Sequence, residues 1–95
     1  MNVRVHPAAR EELCLAHIWY KDRSPLSAVA FAHEITDAIS CITEAPNRYP
    51  LAEHGTRRFV LQRFPFNIFY RAVASEIVII AIAHQRRRPG YWHPR

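Results

Sequence analysis

Ninety-five residues are enough for one two-layer core and too few for two, and 49% hydrophobic against 22% charged residues excludes a disordered chain. No apolar run reaches the roughly 18 residues of a membrane span, and the opening Met1-Asn2-Val3-Arg4-Val5-His6-Pro7 has no export-type apolar region, so a single cytoplasmic domain over residues 1–95 is expected. The net charge of +5 is unevenly placed: residues 1–47 sum to −2, with four basic and six acidic side chains, and residues 48–95 sum to +7, with nine arginines and two glutamates.

Asn2 to His6 reads as a short strand with Val3 and Val5 on one face. Pro7 then suits a first helical turn, and a helix is predicted to about Lys21, with Leu13, Ala16, His17 and Tyr20 on one face. His17 is expected as a packed, hydrogen-bonded core histidine. Glu11 and Glu12 early in the helix, and Lys21 and Arg23 at its end, suit the helix dipole. Ser24-Pro25 is an N-cap followed by proline at the first helical position. From it Ala28, Phe31, Ala32, Ile35, Ala38, Ile39 and Ile42 trace an apolar stripe of four turns. The second helix stops before Pro46, and a helical hairpin results. Cys14 and Cys41 have no metal or redox spacing and read as small core residues in a reducing compartment.

Leu51 to Thr56 is a loop. Arg57 to Phe64 is a weakly alternating strand stopped by Pro65, and Phe66 to Val73 is a strand rich in Phe, Ile, Tyr and Val. Ala74-Ser75 reverses the chain into Glu76–Ala83, which is apolar on both alternating sets and so belongs inside the sheet. Three successive strands make an antiparallel meander whose last strand delivers His84-Gln85-Arg86-Arg87-Arg88-Pro89-Gly90-Tyr91-Trp92 to one edge of the sheet. The fold class is therefore α+β: a βααβββ domain, its helical hairpin packed on one face of an antiparallel sheet.

With glycine only at Gly55 and Gly90 there is no phosphate-cradling loop, and the six histidines show no metal-ligand spacing, so neither cofactor nor metal is expected. What remains is the cluster His84, Arg86, Arg87, Arg88, Tyr91 and Trp92. A histidine transfers protons near neutrality, arginines stabilise a pentacovalent phosphate, and a tyrosine stacks on a base. Arginine, tyrosine and tryptophan also dominate protein-binding hot spots. Residue types alone leave a nuclease and a binding patch both open, and a third reading folds Tyr91 and Trp92 back onto the core. The arginine-rich half seeks an anion, either nucleic acid or an acidic protein segment.

The run Arg63-Phe64-Pro65-Phe66-Asn67-Ile68-Phe69-Tyr70-Arg71, with Ile80-Ala81-Ile82-Ala83-His84 and Arg87-Arg88-Pro89-Gly90-Tyr91-Trp92, resembles the RelE/ParE superfamily of toxins from type II toxin–antitoxin systems, often described as plasmid stabilisation proteins. The resemblance spans nearly the whole chain. It implies a cytoplasmic toxin neutralised by a cognate antitoxin, and the wording of the strand motifs is closer to the ParE branch, which poisons DNA gyrase. On that reading Arg63, Arg71, Arg86, Arg87, Arg88, Tyr91 and Trp92 contact the target. The RelE branch cleaves mRNA on the ribosome. If this chain did so, His84, Arg87 and Tyr91 would carry the reaction, but Asn67 stands where that branch commonly has an arginine and no strand glutamate is available as a base. A third alternative is a non-toxic basic domain that binds protein or nucleic acid.

Overall fold

The computed structural model describes all of residues 1–95. Strand β1 (Asn2–Val5) leads through His6, whose Nδ1 accepts the Ala8 N–H at 3.0 Å, into helix α1 (Pro7–Arg23). Ser24 ends one helix and starts the next: its N–H donates to the Tyr20 carbonyl at 2.7 Å, and its Oγ accepts the Ser27 N–H at 3.3 Å. Helix α2 (Pro25–Glu44) follows, then a 3-10 turn (Glu53–Gly55) and strands β2 (Arg57–Val60), β3 (Phe66–Val73) and β4 (Glu76–His84).

The sheet order is β1-β4-β3-β2, and β4 is interior, as its two apolar faces require. The β2-β3-β4 meander is antiparallel. The sheet is mostly antiparallel, as expected; β1, whose neighbour the sequence left open, pairs with β4 in parallel (Val3↔Ile77, Val5↔Ile79). Two helices and strands β2 and β3 separate these strands in sequence, a long crossover of the kind that permits parallel pairing. Because β4 is interior, the arginine-rich tail leaves from the middle of the sheet and not from its edge.

Strand β2 is shorter than expected. The Glu34 carboxylate on α2 accepts the N–H groups of Gln62 (2.6 Å) and Arg63 (3.1 Å), and these two amides are thereby committed to α2 just where the strand was expected to continue. Leu61 is buried as the chain turns, its N–H reaching the Phe66 carbonyl at 3.0 Å. At the other end of β3 the Ala74-Ser75 reversal holds, with Ala74 at a φ of 53°.

Both helices lie on one face of the sheet. Their core joins Ala9, Ala16, Phe31, Ile35, Ala38 and Ile42 to Ile68, Tyr70, Ile77, Ile79 and Ile82, with Ile39 partly buried beside it. Tyr70 is fully buried, and its hydroxyl is satisfied by the Pro46 carbonyl at 2.6 Å. The cysteines are not core residues: Cys14 is exposed and Cys41 half-buried, because each falls beside its helix's apolar stripe. His17 is half-buried in a shallow groove between the helices, beside Leu13, Phe31 and Ile35, and not inside the core.

A β-bulge carries the second face. Tyr70 pairs with Ile79 and Phe69 with Ala81, so Ile80 is one residue too many on β4. Before the bulge Ile77 and Ile79 face the helices; after it Ile82 does, while Ile80, Ala81 and Ala83 join Val78 and Phe69 on the opposite side. Trp92 closes that side at 1% exposure, its ring 4.8 Å from Phe69.

Candidate functional site

Strand β1 stops opposite Ile79, leaving the following stretch of β4 without a strand on that side. Glu12, one and a half turns into α1, completes the ladder there. Its Oε1 accepts the Ile82 N–H at 3.0 Å, and Arg95 Nη1 donates to the Ile80 carbonyl at 3.1 Å. Arg95 also grips Glu12 bidentately, Nη1 to Oε1 at 2.9 Å and Nη2 to Oε2 at 3.0 Å, with both side chains 17% exposed. The Tyr91 hydroxyl donates to Glu12 Oε2 at 2.5 Å. Glu12 thus does not serve the helix dipole as expected, since it lies beyond the first turn; it ties α1, β4 and the tail together.

These contacts set the protonation of the group. Burial, then the hydrogen bond to Glu12 and its charge, push the Tyr91 hydroxyl well above the ordinary phenol range. The hydrogen bond to Glu12 raises Arg95 further, against the opposing effect of burial. Arg71 anchors the tail from β3, Nη1 donating to the Arg95 carbonyl at 3.2 Å and Nη2 to the His54 carbonyl at 3.1 Å. The His54 and His93 rings meet at 3.7 Å, tilted by 40°, between the 3-10 turn and the tail, and the Arg87 guanidinium lies 3.8 Å over the Tyr91 ring.

Two hollows flank the tail. The larger, about 460 Å³, runs between α1 and the end of β4 and is mostly apolar: Leu15, Trp19, Tyr20 and Phe66 line it, together with Glu12. The smaller, about 160 Å³, lies on the tail's face of the sheet. His84, Arg87 and Tyr91 line both and form the wall between them.

The structure therefore brings His84, Arg87 and Tyr91 together, as the sequence suggested, but commits two of them. His84 Nδ1 accepts the Arg86 N–H at 3.1 Å, which leaves its neutral ring with a proton on Nε2, a donor and not a base. Tyr91 is held as a phenol by Glu12. Arg86, Arg87 and Arg88 are exposed, as a target-binding role needs, and so is Arg63 in the β2–β3 turn. Arg71 is half-buried and engaged with the tail. Trp92, expected among the target contacts, is instead core: the bulge at Ile80 and the small Ala81 and Ala83 side chains make the floor on which its indole sits. The tail folds back onto the sheet, the third of the readings open from sequence.

Sequence reasoning missed the roles of Glu12 and Arg95. A signal for Glu12 existed: it lies three residues after Ala9 and four before Ala16, so a carboxylate falls on the buried stripe of α1 and requires partners there.

Comparison with known proteins agrees with this architecture. A family model described as ParE toxin of type II toxin–antitoxin system, parDE, matches residues 3–89. No curated protein matches the sequence. Among solved structures, a chain of the chromosomal ParDE TA system from P. aeruginosa is similar in fold, with a TM-score of 0.77 at 23% identity, covering 88% of this chain and 95% of that one.

Proposed function

The chain belongs to the ParE family of toxins from type II toxin–antitoxin systems, and from that premise we propose that it poisons DNA gyrase by binding, in the cytoplasm, and is neutralised by a cognate antitoxin. The observation that carries binding over catalysis is the commitment of the two proton-transfer candidates: Tyr91 donates to Glu12 with its hydroxyl pushed toward the protonated form, and His84 Nδ1 is occupied by the Arg86 N–H. A general base needs a free lone pair aimed at its proton. Arg86, Arg87 and Arg88, exposed beside this locked framework, are suited to recognition by charge and bidentate hydrogen bonding.

The antitoxin reading has its own support. Leu15, Ile18 and Trp19 on the outside of α1 are 59%, 53% and 51% exposed, next to the apolar hollow whose lining includes Arg87. An amphipathic antitoxin segment carrying carboxylates would cover both.

Two assays on the purified full chain test the proposal: DNA supercoiling by gyrase, and cleavage of mRNA on programmed ribosomes. Loss of supercoiling without mRNA cleavage, restored by the antitoxin encoded alongside, is the expected result. Codon-positioned cuts with gyrase untouched would replace it with the RelE-type reading, in which His84, Arg87 and Tyr91 act on RNA.

A further inference from the structure

The small hollow on the tail's face is lined by three arginines, Arg58, Arg87 and Arg88, from two distant parts of the chain. Arg58 reaches it from β2, where it pairs with Phe69 and so shares that residue's face of the sheet; the other two come from the tail. None of the three forms an ion pair, since the salt bridges of the molecule are Arg4–Glu76 and Arg95–Glu12. Three like charges gathered around one pit repel one another, and an anion placed between them removes that cost. Glu53 also borders the pit, but lies within ion-pairing distance of no arginine and is outnumbered three to one.

The neutral groups around the pit are also biased toward donation. With Nδ1 occupied, the neutral His84 ring offers Nε2–H. The Gln85 side-chain amide donates to Asn67 Oδ1 at 3.3 Å, which leaves the Asn67 NH₂ as the free end of that amide. A volume of about 160 Å³ holds a phosphate group but not a nucleoside. Tyr91 keeps Arg87 in place by stacking, so the donor set is partly organised before any ligand arrives.

We propose that this pit is a binding site for a phosphoryl oxyanion, with Arg58, Arg87 and Arg88 as its charged ligands and His84 and Asn67 as neutral donors. Fork-shaped guanidiniums match the several oxygens of a tetrahedral phosphate. The site is distinct from the apolar hollow beside α1; it shares Arg87 and Arg88 with the surface proposed to contact gyrase, but does not require gyrase to be the target. The phosphate can be free or part of a nucleic-acid backbone, and the experiment separates these sources.

The test follows backbone amide resonances of the isotope-labelled full chain during titration with inorganic phosphate, a short single-stranded DNA oligonucleotide, or a glutamate-rich peptide of equal charge. Saturable shifts at Arg58, Gln85, Arg87 and Arg88 are expected with phosphate. Arg58→Gln and Arg88→Gln should each weaken binding about tenfold, while Arg48→Gln, which removes the same charge from an exposed loop outside the pit, should change it less than about twofold. The spectrum of each variant reports directly whether it has folded. An oligonucleotide that binds far more tightly than phosphate assigns the site to a nucleic-acid backbone; equal affinity assigns it to free phosphate. Absence of saturable shifts with phosphate, an equal loss in Arg48→Gln, or tighter binding of the acidic peptide overturns the proposal. Neither gyrase nor antitoxin is present in the titration, so its failure would leave the gyrase reading untouched.

Discussion

The two faces of the sheet are closed by different means. On one, thirteen buried residues from two long helices, β3, β4 and the turn at Leu61 make a continuous apolar core. On the other, six residues suffice, and the closing element is a short tail whose only fully buried side chain is Trp92. The first face is held by area removed from water. The second depends on one indole and a few charge-assisted hydrogen bonds, and it is there that the exposed arginines gather. A face with so few contacts tolerates a partner's rearrangement at less cost than a helical core would, which suits a recognition surface.

The comparison is broken most severely at the residue common to its geometry. Ile80→Asp would put an unpaired carboxylate at the bulge beneath Trp92, and no cooperative unfolding transition is expected in denaturant. Next come the two aromatic anchors. Phe31→Ala and Trp92→Ala should each cost about 3–5 kcal/mol, but hydrogen exchange should tell them apart. Trp92→Ala should release the amides around Gln85–Arg95 while α1 and α2 stay protected; Phe31→Ala should lower protection everywhere. Equal exposure of both helices in the tryptophan variant would mean that the faces are one cooperative unit.

A smaller effect is expected from Glu12→Gln. It leaves Arg95 without its carboxylate and weakens the Tyr91 contact, costing on the order of 2 kcal/mol for a pair still partly open to solvent. Chemical denaturation measures the cost, and loosening of the tail without change in the helices locates it. The smallest effect concerns pH. Tyr91 has its folded-state value raised, so the fold favours the protonated phenol: this contribution is complete below about pH 10, the ordinary tyrosine value, and is lost as pH rises beyond it. Tyr20 and Tyr70, also raised by burial, act in the same direction on the helical face. Tyr91→Phe should therefore make the alkaline decline in stability shallower without abolishing it, as denaturation midpoints above pH 9 and 11 would show.

What could be read in the sequence was what rests on local pattern. Ser24-Pro25 and the stripe through Ile35 mark the second helix, and the apolar runs at 66–73 and 76–83 mark the central strands. The candidate cluster could be singled out because His84 to Trp92 is contiguous in sequence. What could not be read depends on contacts between residues far apart in sequence. Glu12 and Arg95 are 83 positions apart. Glu34 shortens β2 from 28 positions away. The phase change at Ile80 leaves no trace in a strand whose residues are apolar at nearly every position, so the floor under Trp92 was not visible and its burial was only one of three readings left open. The parallel pairing of β1 was hidden for a related reason: a four-residue strand states its existence but not its neighbour.

The Glu12–Arg95 pair also makes the tail a latch. Its two partners lie 83 positions apart, so closing it is a long-range event that the packed core prepares by bringing α1 and β4 together. The helical core itself uses no contact with Arg95. A segment that brought its own carboxylate to Arg95 would compete with Glu12 for the latch and loosen the arginine-bearing face while leaving the helices packed.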